Sequence, residues 1–478
     1  MSSSSHPVRW VVLKFGGTSV AGRPQWETIA SLAQARRSEG FRVLLVCSAV
    51  AGVTNQLSVL AYNPDSADRL EEVLEVHRRL GHDLGVDEQD WLPGAERDLR
   101  QCLNDLLHDP GPQFHAALLA MGEWLSTRIG CCFLRQTLDA GWVDVREALE
   151  VDQEKDMSPA RQWLSAACKA AEAPGLAGRW SALNPVLITQ GFVAKTKEGH
   201  TALLGRGGSD TSAALLAGRL RAERLEIWTD VPGLFSADPR LITAARLLVE
   251  VDYAEALEMA ASGARVVHPR CIRAAAATRT PVEIRDLGRR SMRGTRIGQR
   301  RSDESGIKTV TCQQKMAVLL LQNLDARFQV GFLAEVFDIF RRRGISIDLV
   351  ATSETTTTVA INCEANHLGD AELDDLSEDL ESRCKVTLFH DCVCVNLVGR
   401  GARTALFRLQ KVMAFFDDHP LLMVSQSAND LCLSLLVESG DHGILLESAH
   451  RALIPEYDGG AEDVVFGASW AHIQQLAG

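Results

Sequence analysis

Val11-Val12-Leu13-Lys14-Phe15-Gly16-Gly17-Thr18-Ser19-Val20 sets an apolar run, a lysine and two glycines directly in front of a helical segment. A near-continuous apolar run marks a strand buried in a parallel sheet, and open α/β sheets bind ligands at the carboxyl ends of such strands. Lys14 stands at that end. Gly16 and Gly17 let the chain turn tightly and aim N–H groups at an anion, as glycine loops before helix N-termini do. Taken alone, the same residues also describe a strand ending in a solvated lysine and a turn. Pro24 opens the helix that follows, Gly40 lies near its close, and the strand Phe41–Cys47 completes a βαβ unit.

Further along, residues 66–140 read mostly as helix, and Val186–Val193, the Lys197-Glu198-Gly199-His200 turn and Thr201–Leu204 read as a hairpin. A second glycine cluster, Gly205-Arg206-Gly207-Gly208-Ser209-Asp210, precedes a helix expected over Ser209–Leu220. A third element, Trp228-Thr229-Asp230-Val231-Pro232-Gly233 continuing to Arg240, is rich in turn formers at the end of the strand Leu225–Trp228. Neither glycine loop is GxxxxGK[ST] or GxGxxG, which argues against P-loop NTPases and Rossmann dehydrogenases. Two glycine loops in one region are more specific than one.

The chain has 478 residues, a hydrophobic content of 46% and a net charge of -12. That predicts several domains with real cores and no general affinity for nucleic acid or an anionic membrane. An anionic ligand must therefore meet a local cluster of Lys and Arg. The twelve cysteines form no CxxC pair and lie mostly in apolar stretches, as reduced thiols of a cytoplasmic protein do. The longest apolar run, Val43–Val53, is short of the ~20 residues that span a bilayer. The thirteen histidines show no metal-ligand spacing, so no protein-held metal is expected.

Arg289–Ser305, arginine-rich among Gly, Ser and Gln, reads as a linker. Beyond it, a shift of about 76 residues brings Val336, Phe337, Phe340, Ile345 and Ile347 onto Val412, Met413, Phe416, Leu421 and Met423. Leu333, Val336, Phe337 and Phe340 stripe one helix face, and Leu406, Leu409, Met413 and Phe416 another. The order in each copy suggests ferredoxin-like α+β modules, a fold that by itself decides no function.

The three motifs in this order resemble aspartate kinase of the amino acid kinase family. The match extends through Gly331-Phe-Leu-Ala-Glu-Val-Phe and Asp348-Leu-Val-Ala-Thr-Ser-Glu to the paired ACT modules of the lysine-regulated branch. The resemblance implies an α/β amino acid kinase fold, a mostly parallel sheet sandwiched by helices, followed by two ferredoxin-like ACT modules. The corresponding parts are a tail over 1–9, a catalytic domain over 10–288, a linker over 289–306, ACT regions over 307–390 and 391–457, and a tail over 458–478. It implies transfer of the γ-phosphoryl of MgATP to the side-chain carboxylate of L-aspartate, with Mg2+ brought by the nucleotide.

By the same resemblance Lys14 neutralises the moving phosphoryl group, with Gly16, Gly17, Gly207, Gly208 and Ser209 around the phosphates, and Asp210 holds Lys14. Arg206 suits the substrate α-carboxylate as a bidentate fork. Glu123 takes the substrate ammonium, and Ser48 and Thr54 line the same pocket. Thr229, Asp230, Phe235, Arg240 and Arg265 match nucleotide positions. Phe235 stands where this branch usually has tyrosine and Arg265 where it usually has lysine, which bears on ATP affinity rather than on the chemistry. Taken singly, Glu123 is an ordinary helix residue, Asp230 an ordinary turn residue and Arg206 a surface charge.

Gly331, Phe332, Leu333, Ile347, Asp348, Thr352, Ser353 and Glu354 match the family's lysine site, placed at the interface of a homodimer or a dimer of dimers. Arg327-Phe328-Gln329-Val330 departs from the smaller turn usual there, which leaves lysine or another amino acid as effector. The tail after residue 457 either docks on the second module or leads to a fused lysine-pathway enzyme, as in some relatives. Two rivals stand beside this reading: a kinase of the same family acting on glutamate, N-acetylglutamate or a nucleotide, and a catalytically dead amino acid sensor.

Overall fold

The computed structural model describes residues 8–64, 66–152, 158–169, 173, 175–264, 266–299, 306–322, 330–404, 420–438, 442–459 and 464–476. Two compact units emerge. One comprises Met1–Gly233, Val249–Tyr253 and Arg265–Arg300, the other Leu234–Leu248, Ala254–Ala264 and Arg301–Gly478.

In the first unit, β1 (Trp10–Phe15), β2 (Arg42–Cys47), β3 (Ala140–Trp142), β4 (Val186–Gln190), the β5–β6 ribbon (Val193–Lys195, Thr201–Leu203) and β7 (Arg224–Thr229) follow in chain order. β9 (Glu250–Asp252), β10 (Val282–Asp286) and β11 (Thr295–Gly298) complete it, and β8 (Arg246–Leu248) belongs to the second unit. Among the described residues the main sheet runs β3-β4-β2-β1-β7-β10-β11-β9. β1 pairs in parallel with both β2 and β7, with Phe15 opposite Cys47 and Trp228. The chain thus builds one side of the sheet through β2 and β4, then returns to the other side through β7. Lys14 lies beside that reversal of strand order, where open sheets leave a crevice.

Val11, Val12, Leu13 and Phe15 are fully buried, as the apolar run required. The helix Arg23–Ser38 lays Trp26, Ile29 and Ala33 on the sheet, and the helix Pro112–Arg135 crosses it at Gly130. A Cβ on Gly130 would come within 1.9 Å of the Trp26 indole, so that glycine is a packing requirement. Pro112–Arg135 is long and apolar enough by composition to cross a membrane, and 72% of its most apolar window is buried inside this fold.

Two local readings need correction. Val186–Val193 is not one hairpin strand: β4 joins the main sheet, the chain turns at Gly191-Phe192, with Phe192 at φ 65, and only β5 pairs with β6. Within the stretch read as a linker, Thr295 and Ile297 point inward and form β11 against β10. Alternation over four residues was masked there by the surrounding arginines.

In the second unit, β12 (Thr309–Gln322), β13 (Leu349–Thr352), β14 (Thr356–Asn362), β15 (Lys385–Val398), β16 (Leu421–Gln426) and β17 (Cys432–Val437) form a sheet in the order β13-β14-β12-β15-β17-β16. β12 and β15 are antiparallel over most of their 14 residues each. β14 pairs with Met316–Gln322 of β12, whereas β17 pairs with Val393–Val398 of β15. The two halves of this long ribbon therefore serve two modules, and the boundary drawn at residue 390 falls inside β15. Val336 and Phe340 of the helix Phe332–Arg343 bury against Leu319, Leu321 and Val359. The second stripe, Leu406 to Phe416, lies outside the described residues.

The segment after residue 463 packs within the second unit. β18 (Phe466–Ser469) pairs with β8, and the helix Trp470–Gln475 follows.

Candidate active site

The carboxyl ends of β1 and β2 and the amino end of the helix Gly208–Arg219 meet around a cavity of about 350 Å³. Lys14, Gly17, Ser48, Thr54, Glu123, Gly207, Gly208, Ser209 and Asp210, all named from sequence, line it together. Lys14 Nζ sits 2.5 Å from Asp210 Oδ1, both side chains largely shielded from solvent. Gly17 packs so closely that a Cβ there would lie 2.8 Å from the Ala49 carbonyl, and the Ala51 N–H donates to Gly17 O at 3.2 Å. The two strand-end loops thereby become one wall.

Glu123 projects from the helix Pro112–Arg135 and is only 3% exposed. Burial pushes its carboxyl up to about 8, with backbone hydrogen bonding, first from Ala49, opposing the shift. Its Oε2 has no hydrogen-bond partner among the described residues. A buried carboxylate with an unused oxygen in a cavity calls for a cationic ligand, because ionising it there without a partner is costly. The helix is held in place at this point: Ser126 Oγ donates to Ser48 O at 2.8 Å, and Thr127 Oγ1 to Glu123 O at 2.7 Å.

The second glycine loop has its own support. Gly207 adopts φ +66, and a Cβ there would collide with the His268 ring at 2.3 Å. His268 Nδ1 accepts from the Arg270 N–H, and Arg270 Nη1 donates to Leu204 O at 2.7 Å. Arg206 is exposed between the lining residues Gly205 and Gly207, and its side chain is not part of the cavity lining. Gly16 likewise stands just outside that lining, within 3.7 Å of Lys14 Nζ by its built Cβ position. Sequence reasoning missed Ala49–Gly52 and Phe192, which complete the walls together with Gly205 of the second glycine cluster, and His268 behind Gly207. The signal for the first group was their position directly after Ser48 at the end of β2.

The nucleotide candidates divide between the units. Thr229 ends β7 and donates through Oγ1 to Asp230 Oδ1 at 3.0 Å. Phe235 is buried in the second unit against Trp470, with ring centroids 5.6 Å apart. Arg240 is exposed and forks onto Asp238 through Nε and Nη2, holding that carboxyl below its usual range. Arg265 lies outside the described residues.

In the first module, Gly331 caps the helix Phe332–Arg343, with Phe332 buried and Leu333 exposed. Ile347 is half-buried, and Asp348 accepts through Oδ2 from the Asn362 N–H at 2.8 Å. Thr352 ends β13, Ser353 bonds Thr356 Oγ1 at 2.6 Å, and Glu354 is exposed. Of the altered segment, Val330 is exposed and Arg327–Gln329 lie outside the described residues.

Residues 9–286 match the amino acid kinase family. The lysine-sensitive aspartokinase 3 of Escherichia coli is 31% identical over 458 residues, covering 93% of this chain and 99% of that protein. The structure of E. coli aspartokinase III with aspartate and ADP, in its R-state, superposes with a TM-score of 0.75 at 30% identity, covering 94% of this chain and all of the other. Its T-state complex with lysine and aspartate gives 0.73 at 30% identity, covering 93% and 100%. The matched span takes in every strand of the main sheet except β11, and the glycine loops, paired lysine and buried glutamate all fall within it: the chain belongs to the amino acid kinase family, among the aspartokinases.

Proposed function

We infer that this chain is an aspartate kinase, transferring the γ-phosphoryl of MgATP to the side-chain carboxylate of L-aspartate to give 4-phospho-L-aspartate and ADP. This is the first step toward lysine, threonine and methionine. The observation that carries the reading is the cavity holding both the Lys14–Asp210 pair and the buried Glu123 carboxyl, whose Oε2 has no hydrogen-bond partner among the described residues.

Attack by a carboxylate needs no general base, since the nucleophilic oxygen is already ionised. One bond forms from that oxygen to the γ-phosphorus, and the bond to the ADP oxygen breaks. Such a transfer asks the protein for positioning and for positive charge around the equatorial oxygens. Lys14 supplies the charge, and Asp210 keeps it aimed. N–H groups of Gly16, Gly17, Gly208 and Ser209 face the phosphates. Glu123 takes the substrate ammonium, Arg206 the α-carboxylate, and Ser48 and Thr54 the remaining polar edge. Thr229, Asp230, Phe235, Arg240 and Arg265 serve the nucleotide, whose Mg2+ arrives with it.

Lysine is the effector, read by Gly331, Phe332, Leu333, Ile347, Asp348, Thr352, Ser353 and Glu354. The exposed apolar Leu333 and Val350 support an isologous dimer through this module. Twelve unpaired cysteines support a cytoplasmic setting.

The test is acyl phosphate formation trapped with hydroxylamine, comparing aspartate, glutamate and N-acetylglutamate, with and without lysine. Product from aspartate alone, suppressed by lysine, is expected. Product from another acid, or from none, refutes the assignment.

A further inference from the structure

The segment Leu234–Leu248 follows the Trp228–Gly233 motif in sequence and carries Phe235 and Arg240, yet it is built into the second unit. Its two arms are tied by the Ser236 N–H to Arg246 O and the Leu248 N–H to Leu234 O, both at 2.8 Å. A two-stranded ribbon of this size is marginal in water without further packing. Part of the packing comes from β12, where Thr309 Oγ1 donates to Phe235 O at 2.9 Å and the Val310 N–H to Ser236 O at 2.8 Å, and the rest from the C-terminal residues. β18 lies along β8, and the N–H groups of Trp470 and Ala471 donate to Ala245 O at 2.8 Å and Thr243 O at 3.0 Å.

Side chains repeat the connection. Arg246 is 5% exposed, and its guanidinium donates to the carbonyls of Gly467 at 2.9 Å, Phe466 at 2.8 Å and Pro455 at 3.4 Å. It also lies over the Tyr457 and Phe466 rings. The Phe235 and Trp470 rings meet edge to face at 88°. Ser236 Oγ lies 2.8 Å from His450 Nε2 on the helix His442–Leu453.

We propose that the C-terminal segment 464–476, acting through Trp470 and the carbonyl cradle around Arg246, is a positioning element for the nucleotide loop Phe235–Arg240. Edge-to-face contact fixes the Phe235 ring, and the β8–β18 pairing fixes the arm that returns from the Asp238–Arg240 apex. Binding of MgATP then depends on the tail, whereas aspartate recognition in the Glu123 cavity does not. This rests on the nucleotide assignment of Phe235 and Arg240 made above.

The experiment uses the full chain carrying Trp470→Ala or Trp470→Phe. Steady-state kinetics are paired with calorimetric titration of MgADP alone. Trp470→Ala is expected to raise KM for MgATP and Kd for MgADP about tenfold, with kcat and KM for aspartate unchanged, and Trp470→Phe to restore both. A folded Trp470→Ala protein with wild-type nucleotide affinity overturns the proposal, as does an equal rise in both KM values. If thermal melting shows Trp470→Ala unfolded, Trp470→Leu, which keeps bulk and removes the aromatic edge, is read by the same two outcomes. Wild-type protein that binds no MgADP would remove the nucleotide assignment and this proposal with it; wild-type and variant binding alike would remove the proposal alone.

Discussion

Lys14 Nζ and Asp210 Oδ1 form a 2.5 Å ion pair that ties the end of β1 to the first turn of the helix Gly208–Arg219. The pair joins the two glycine loops across the cavity, so each residue has a charge role and an orienting role. Lys14→Ala is expected to lower kcat by about 10²- to 10³-fold, the usual loss for one transition-state donor. Asp210→Ala should cost less, and the double variant little more than Lys14→Ala, because the second change has no lysine left to misplace. Hydroxamate turnover with circular dichroism as a fold check measures all three.

Glu123 makes aspartate binding pH-dependent. Its native carboxyl titrates near 8, above the ordinary value of 4.5. Binding an ammonium requires the ionised form, so at pH 7 aspartate binding should release a proton. Calorimetry in buffers of different ionisation heat detects it, and KM for aspartate should fall as pH rises from 7 to 8. For stability the sign follows from proton counting: between 4.5 and 8 the native state holds more protons than the unfolded chain. The contribution of Glu123 is therefore fullest below 4.5 and declines as pH rises through that window. Glu123→Gln should flatten that decline and weaken aspartate binding by about 1.5–3 kcal/mol.

Gly17→Ala places a methyl 2.8 Å from a backbone oxygen that cannot swing aside, unlike a flexible side chain. The variant should lose about 1–3 kcal/mol of stability, as overpacked positions do. Activity should fall with it, since the displaced Ala49–Gly52 wall lines the cavity. Denaturant titration and turnover on the same sample separate the two effects.

Much of this site was legible in the sequence because its elements are local. A strand, a lysine and two glycines within ten residues point toward an anion-facing loop, though alone they also describe a strand ending in a solvated lysine, and the Gly205–Asp210 cluster adds the specificity. Glu123 was less legible: nothing in Met121-Gly122-Glu123-Trp124 says that the residue is buried, and only Gly122, whose built Cβ lies 2.9 Å from the Ala49 Cβ, hints at close packing there. His268 was left among structural histidines because its contact with Gly207 spans 61 positions. The shared strands were illegible for a similar reason. Periodicity shows that Thr309–Gln322 is strand-like but not that β14 pairs with only one half of it, Met316–Gln322.

Lys308 and Glu255 form a buried pair in the second unit, 4% and 0% exposed, and the Arg400 N–H also donates to Glu255. Glu255→Ala strands a buried ammonium and should cost about 3–5 kcal/mol, whereas replacing both partners with apolar residues should cost much less. Chemical denaturation of the single and double variants gives the comparison.

Asp348 presents its carboxylate at the first module with Oδ2 engaged by Asn362 N. Asp348→Asn removes the charge that an effector ammonium would meet. The lysine concentration for half-inhibition should rise about tenfold or more, the loss of one charge-assisted hydrogen bond. Inhibition curves at fixed aspartate and MgATP measure the shift, and an unchanged curve would move the effector contact elsewhere.

β12 and β15 each serve two hydrophobic cores through their two faces: Ala317, Leu319 and Leu321 lie in one core with Val386 and Leu388 packed against it, and Met316 and Val318 join Cys392 and Cys394 in the other. Side chains alternate with period two, so a slip by one residue would turn every inward side chain outward along the ribbon. Here the slip would spoil both cores together, and the irregular pairing between Gln313 and Val318 marks where the two alternations are reconciled. A misaligned ribbon therefore loses the burial of two cores rather than one.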